Sequence, residues 1–75
     1  MMLRWCYNGE EALLYKIDNG EVIAEIDLKN NTTKISLNDS MNTKLYTKRF
    51  VSYESAKEYI ETSLKRLFPK LEFMQ

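Results

Sequence analysis

The sequence predicts an α+β domain, an antiparallel β-meander of four to five strands closed by one C-terminal helix on one face, in the order β-β-β-β-β-α. Three observations predict it. Two Asn-Gly pairs, Asn8-Gly9 and Asn19-Gly20, sit between strand-like runs, and Asn-Gly favours the tight hairpin turn with positive φ at both central positions. Between Tyr53 and Leu67, the residues Tyr53, Ala56, Ile60, Leu64 and Leu67 are spaced 3, 4, 4 and 3 apart, which is the apolar stripe of one helix. Finally, 75 residues leave room for a single domain.

The strands are expected over about 2–7, 12–18, 21–28, 32–37 and 44–50, the helix over 53–68, and a short tail over 70–75. With Asn19-Gly20 as a two-residue turn, Ile17 faces Val22, Tyr15 faces Ala24 and Leu13 faces Ile26. With a turn at Asn30-Asn31, Leu28 faces Thr33, Ile26 faces Ile35 and Ala24 faces Leu37. The two turns agree on one apolar face, and a one-residue slip would flip every side chain. On the other face, Asp27 then meets Lys34, a favourable cross-strand pair.

The first hairpin admits two registers. A strict Asn8-Gly9 turn sets Trp5 opposite Ala12 and Leu3 opposite Leu14, away from that core face. A three-residue loop, Asn8-Gly9-Glu10, sets Trp5 opposite Leu13 and Leu3 opposite Tyr15, within it. The second is favoured because burying Trp removes about 150–250 Å² from water. Whether Trp5 is core or surface stays open at this point.

Residues 38–43 read as a polar loop and KLYTKRFV (44–51) as the last strand. Ser52 is a good N-cap, since its hydroxyl can accept from a free amide two or three residues on. Glu54 and Glu58 come early in the helix, Lys65 and Arg66 late, matching the macrodipole. Lys57–Glu61 and Glu61–Lys65 are i,i+4 pairs. Pro69 ends the helix, and in the tail Leu71 and Phe73 are the residues able to fold back.

Composition narrows the chemistry. A core of this size contributes only about 3–5 kcal/mol net, so staples or self-association often help. One cysteine, Cys6, excludes an intramolecular disulfide, and the absence of histidine disfavours a structural zinc site. A lone thiol fits a reducing compartment. The N-terminus lacks a basic head followed by a long apolar run, so it does not read as a signal peptide, and no apolar stretch approaches the ~20 residues a bilayer requires. A cytoplasmic location is the expectation. The sequons at Asn30, Asn31 and Asn38 follow from an Asn/Thr-rich composition.

Net charge is zero, which argues against a DNA mimic and against a broad nucleic-acid-binding surface. It is unevenly spread: residues 1–28 carry two basic and six acidic side chains, net −4, and residues 29–75 carry nine and five, net +4.

Candidates for catalysis are few. Without histidine, the usual general base for a Ser or Cys nucleophile is missing. Cys6 has only Arg4 nearby on its strand face and reads as a small half-buried residue. Glu25 and Asp27 lie about 6–7 Å apart on one strand face, the spacing of a carboxylate pair, but an open, charge-paired sheet face is not a cleft. Glu10 and Glu11 point to opposite sides. Gly9 and Gly20 are the only glycines, so there is no phosphate loop, and no metal-ligand spacing occurs. No catalytic residue, cofactor or metal ligand is expected, and the chain does not read as an enzyme.

Two binding surfaces remain. The sheet face away from the helix is expected to carry Leu14, Lys16, Ile23, Glu25 and Lys34, a mixed surface suited to a protein partner. The strand Lys44–Phe50 interleaves cations with aromatic rings, with Lys44, Tyr46, Lys48 and Arg49 as candidates for phosphate contact and base stacking. The competing reading is that Leu45 or Phe50 is core and the lysines protect an edge strand.

The runs GEVIAEID (20–27), TKISL (33–37) and FVSYESAKEY (50–59) together resemble the AP2 and integrase arm-binding type of DNA-binding module, in which a G-x-x-x-A-E-I strand leads through a meander to F-x-S-x-E-x-A and a packing helix. The resemblance covers about half of the chain. It implies DNA binding from the open sheet face by Arg and Trp, yet the matching face here holds Glu25 and Asp27. The same ending is similar to those of many small phage and prophage proteins. The leading expectation is therefore a small non-enzymatic protein-interaction module, a phage or mobile-element accessory protein that modulates a host protein. Nucleic-acid binding through strand 44–50 is the alternative. A homodimer through the open face or the last strand is a third reading, compatible with the first.

Overall fold

The computed structural model describes residues 2–30, 32–39 and 42–74, with side chains described outside 35–47. Strands β1 (Met2–Tyr7), β2 (Glu11–Lys16), β3 (Val22–Asp27), β4 (Thr32–Asp39) and β5 (Asn42–Arg49) precede helix α1 (Tyr53–Leu67), and β6 (Glu72–Met74) ends the chain. The sheet order is β5-β4-β3-β2-β1-β6. Strands β1 to β5 form the expected antiparallel meander. The expected tail adds a sixth strand, parallel to β1.

The first hairpin takes neither expected register. The Asn8 N–H donates to the Glu11 carbonyl at 3.1 Å, so Gly9 and Glu10 are the two turn residues, with Gly9 at φ 92°. The Asn8 side-chain oxygen accepts from the amides of Glu10 and Glu11 at 3.0 and 2.8 Å. Asn8 thus acts from outside the turn, as a local side-chain cap. Trp5 consequently faces Leu14, Leu3 faces Lys16 and Tyr7 faces Ala12.

The second hairpin reverses the expected core face of β2. The Lys16 N–H donates to the Glu21 carbonyl at 2.9 Å and the Gly20 N–H to the Lys16 carbonyl at 2.8 Å, so residues 17–20 form a four-residue connection. Gly20 takes φ 75°, and the Asn19 side-chain oxygen accepts from the Glu21 amide at 2.9 Å. Tyr15 then pairs with Val22, and a register shift follows between Leu14 and Tyr15, so that Leu14 pairs with Ala24 and Ala12 with Ile26. Such a bulge adds one residue to one strand and changes which side chains share a face. It divides the expected apolar stripe. Tyr15 and Val22 go to the outer face, while Ala24 and Ile26 stay inside with Leu14 and Ala12, all buried. It also lets the consecutive residues Ile23 and Ala24 both be buried.

Between β3 and β4, Ile26 pairs with Thr33 and Ala24 with Ile35, two residues from the expected register, which keeps the face but changes the partners. The Asp27 carboxylate accepts from the Lys29 amide at 2.9 Å and the Asn30 side chain at 3.0 Å, closing the turn. Lys34 faces Glu25 rather than Asp27. The expected loop 38–43 is mostly strand, since β4–β5 pairing continues to Asp39 and Asn42; residues 40 and 41 lie outside the described residues.

Helix α1 begins as expected. Ser52 Oγ accepts from the Ser55 amide at 3.2 Å, and Ala56, Ile60 and Leu64 are buried. Leu67 is 57% exposed, so the stripe ends one turn early. Trp5 is half-buried and donates through Nε1 to Glu61 Oε1 at 3.1 Å, and Lys57 Nζ lies 6.0 Å from its ring. Glu61 thus serves the sheet in place of the expected pairing along the helix. The Leu71 N–H donates to the Phe68 carbonyl at 3.0 Å, turning the chain at Pro69 so that Leu71 is buried and β6 reaches β1. The core comprises Leu3, Ala12, Leu14, Ile23, Ala24, Ile26, Ala56, Ile60, Leu64 and Leu71. The small side chains of Ala24 and Ala56 suit a helix whose Cα atoms come within 8 Å of those of β3 and β4.

Thr33 is buried, and its hydroxyl has no hydrogen-bond partner among the described residues. An unpaired buried hydroxyl costs about 1–3 kcal/mol.

Two stability measurements follow from this packing. Leu14→Ala lowers the unfolding free energy by about 2–5 kcal/mol, whereas Leu13→Ala, on the outer face, lowers it by about 1 kcal/mol or less. Equal losses in chemical denaturation would contradict the bulged register. Thr33→Val raises stability by about 1 kcal/mol, read from the same denaturation midpoints at unchanged slope.

Candidate interaction surface

The outer face of the sheet is built from cross-strand rows, because directly paired residues point to the same side. Leu3 is buried and Trp5 half-buried beneath the helix, so the alternate residues Met2, Arg4 and Cys6 point outward. One row runs Val22, Tyr15, Arg4, Met74. The next runs Cys6, Leu13, Glu25, Lys34. A third runs Glu11, Asp27, Thr32, Arg49. Met2 and its partner Glu72 continue the face at the other end.

These rows separate by character. Over β6, β1, β2 and the first residue of β3 the face is largely apolar: Met2, Val22 and Met74 are 40%, 36% and 43% exposed, Leu13 and Tyr15 are half-buried, and Cys6 is exposed. Arg4 stands among them. Over β3 and β4 the face is charged, and an open cleft of about 280 Å³ is lined by Glu10, Glu11, Glu25, Asp27, Lys29 and Lys34. Lys29 Nζ lies 3.5 Å from Glu10 Oε1.

Two of the five residues expected on this face are there: Glu25 and Lys34 are exposed and directly paired. Leu14 and Ile23 are core residues instead, at 0% and 6% exposure, because the bulge turns both inward. Lys16 pairs with Leu3 on the helix side, and its Nζ is 3.2 Å from Glu21 Oε2. Met2, Arg4, Leu13, Tyr15, Val22 and Met74 take the vacated role. The sequence places Tyr15 and Val22 together on the expected core face, opposite Ala24 and Ile17, and the bulge that pairs them and sends them outward leaves no compositional signal. Met74 required the unforeseen β6.

The basic strand is divided as well. Lys48 pairs with buried Thr33 on the helix side, and Arg49 pairs with Thr32 on the outer face. Lys48 Nζ lies 4.4 Å from the Tyr59 ring centroid and 5.3 Å from that of Phe50, and those rings are 5.1 Å apart. The ammonium is therefore held by cation–π attraction. The side chains of Lys44 and Tyr46 lie outside the described residues.

No group of three or more Cys, Asp or Glu side chains among the described residues is arranged to hold a metal ion. Among the described residues, no helix is long and apolar enough to cross a membrane. The Asp27 carboxyl is held below its ordinary value of 3.8, first by the Asn30 side chain and then by the Lys29 amide, with Lys34 a smaller contributor. Burial raises the Tyr53 phenol above 10.0; its ring stacks on Tyr7 at 6.1 Å and 4°.

No family model matches the chain, and no curated protein or solved structure is significantly similar to it.

A lowered folded-state pKa stabilises the fold above the unfolded value and is lost as pH falls through the folded one. Stability should thus decline as pH drops below about 3.8, and Asp27→Asn should flatten that acid limb while leaving the neutral and alkaline dependence unchanged. A parallel acid limb in the variant, measured by denaturation at stepped pH, would show that the turn does not depend on the ionised carboxylate.

Proposed function

We propose that the chain is a small non-enzymatic protein-interaction module that binds its partner through the outer face of the sheet. The observation that carries this reading is the row Val22, Tyr15, Arg4, Met74 with neighbouring Met2, Cys6 and Leu13, a contiguous, largely apolar patch on the sheet face opposite the helix, which no element among the described residues covers. Lone exposed apolar residues are ordinary on protein surfaces, but a contiguous group rimmed by charge marks an interaction site. The rim is present here as Glu11, Glu25, Asp27 and Lys34. A central arginine beside a tyrosine matches the residue types that dominate binding energy at interfaces.

The same arrangement lends little support to catalysis. The carboxylates line an open, solvated cleft, and no histidine exists to act as a base at neutral pH. Nucleic-acid binding through β5 also gains little, because Lys48 is engaged with Tyr59 and Phe50 and points away from Arg49.

The single cysteine lies on the proposed surface, so it serves as the attachment point for a photo-crosslinker. A benzophenone on Cys6 should yield protein adducts in an extract of the source cells. The same group on Glu58→Cys, in a Cys6→Ser background, should not. Excess unlabelled protein should suppress the adduct, and excess Val22→Lys protein should not. Equal yields from the two positions, or none from Cys6, would overturn the assignment of this face.

A further inference from the structure

We infer that the partner is a second copy of this chain, the two sheets packing outer face to outer face about a twofold axis that runs along β2. The inference rests on the protein-interaction reading above and names the occupant of that surface.

Charge complementarity favours a copy over other partners. Among the described side chains the outer face carries Arg4, Lys34 and Arg49 against Glu11, Glu25, Asp27 and Glu72. With cations and carboxylates nearly balanced, a partner of one dominant sign, such as a nucleic acid or a strongly basic peptide, meets repulsion alongside attraction. A second copy presents both signs. The distribution also suits a twofold: Arg4 lies on β1, one strand to one side of β2, and Glu25 lies on β3, one strand to the other. A rotation about β2 lays each β1 over the partner's β3 and brings each Arg4 toward the partner's Glu25, one row along, about 7 Å. The outward residues of β2 itself then meet their own copies on the axis, as isologous contacts require: Leu13 and Tyr15 at its centre, and Glu11 at the rim, where the like charges keep contact with water.

The area is adequate. Centred on β2, the overlap takes in five strands, β4-β3-β2-β1-β6, and at about 4.8 Å per strand and about six residues of length, apart from the short β6, it gives a face of roughly 24 by 20 Å. With side-chain relief this approaches the ~600–800 Å² per partner of modest to standard interfaces. The need is also present. The core includes three alanines, Ala12, Ala24 and Ala56, with no disulfide, and small domains of this kind commonly use oligomerisation to complete apolar burial. Face-to-face sheets about 10 Å apart form an ordinary sandwich layer.

Sedimentation equilibrium of the purified full chain tests this without any other protein present. The expected mass rises from 8.9 kDa to twice that value between about 1 μM and 1 mM, the range of a modest interface. Tyr15→Glu and Val22→Lys should each weaken association at least ~10-fold with unchanged circular dichroism. Arg4→Glu and Glu25→Arg should each weaken it by about 10-fold, and the two combined should recover most of the loss. A single-chain mass at ~1 mM, or a dimer indifferent to both Tyr15→Glu and Val22→Lys, overturns the inference. If the chain stays monomeric while the Cys6 probe captures a different protein, the second-copy assignment fails and the interaction face stands. If it stays monomeric and Cys6 captures nothing, both fail.

Discussion

Helix α1 offers the sheet a narrow stripe, Ala56, Ile60 and Leu64, and only one face of the sheet can meet it. Which face that is depends on a single register shift, between Leu14 and Tyr15 on β2. Before the shift, Tyr15 and Val22 share the outer side. Beyond it, Leu14 with Ala24 and Ala12 with Ile26 share the inner one. Side chains alternate along a strand, so no smooth pairing of β2 with β3 buries Leu14 and Ala24 together while also pairing Tyr15 with Val22. The bulge reconciles the two demands by adding one residue to β3, and the consecutive buried pair Ile23-Ala24 is its direct trace.

Much of the architecture was legible because it rests on local chemistry. The N-cap at Ser52, the stripe from Ala56 to Leu64 and the stop before Pro69 each depend on residues within a few positions, and these lie where the pattern places them, with only Leu67 leaving the stripe. Strand existence was legible for the same reason. Register was not. Asn-Gly pairs indicate that the chain turns near Asn8 and Asn19, but each asparagine uses its side-chain oxygen to accept from amides two or three residues on. That moves the turn centre to Gly9-Glu10 in one hairpin and lengthens the other to residues 17–20. The apparent agreement of two turns on one apolar face assumed smooth pairing, and one bulge was enough to separate Val22 from Ala24.

The surface follows from the same displacement. Leu14 and Ile23 look like outer-face residues only in an unbulged sheet, so their loss from the surface and the gain of Tyr15 and Val22 are one event. Glu25 and Lys34 stay where expected, because the β3–β4 shift is by two residues and preserves the face. Lys48 illustrates a different limit. Its basic neighbours suggested a cation row, but strand alternation separates it from Arg49, and Tyr59, eleven positions away, captures its ammonium. A short strand such as β6 carries too few residues for any period, and only the turn after Phe68 delivers Met74 to the face.

A bulge that served the core alone would be compatible with any residues at the positions it turns outward. Threonine or lysine at 15 and 22 would suit a solvated strand, hold β-propensity and protect the sheet from association. The chain instead places Tyr15 and Val22 there, in line with Arg4 and Met74 and beside Leu13. Each costs nothing individually, but their contiguity leaves an apolar surface exposed to water, which solvation disfavours in proportion to its area. The core does not require that surface, and the helix cannot reach it. An external layer would remove it from water, and the nearly balanced charges at its rim set the chemistry that such a layer must match.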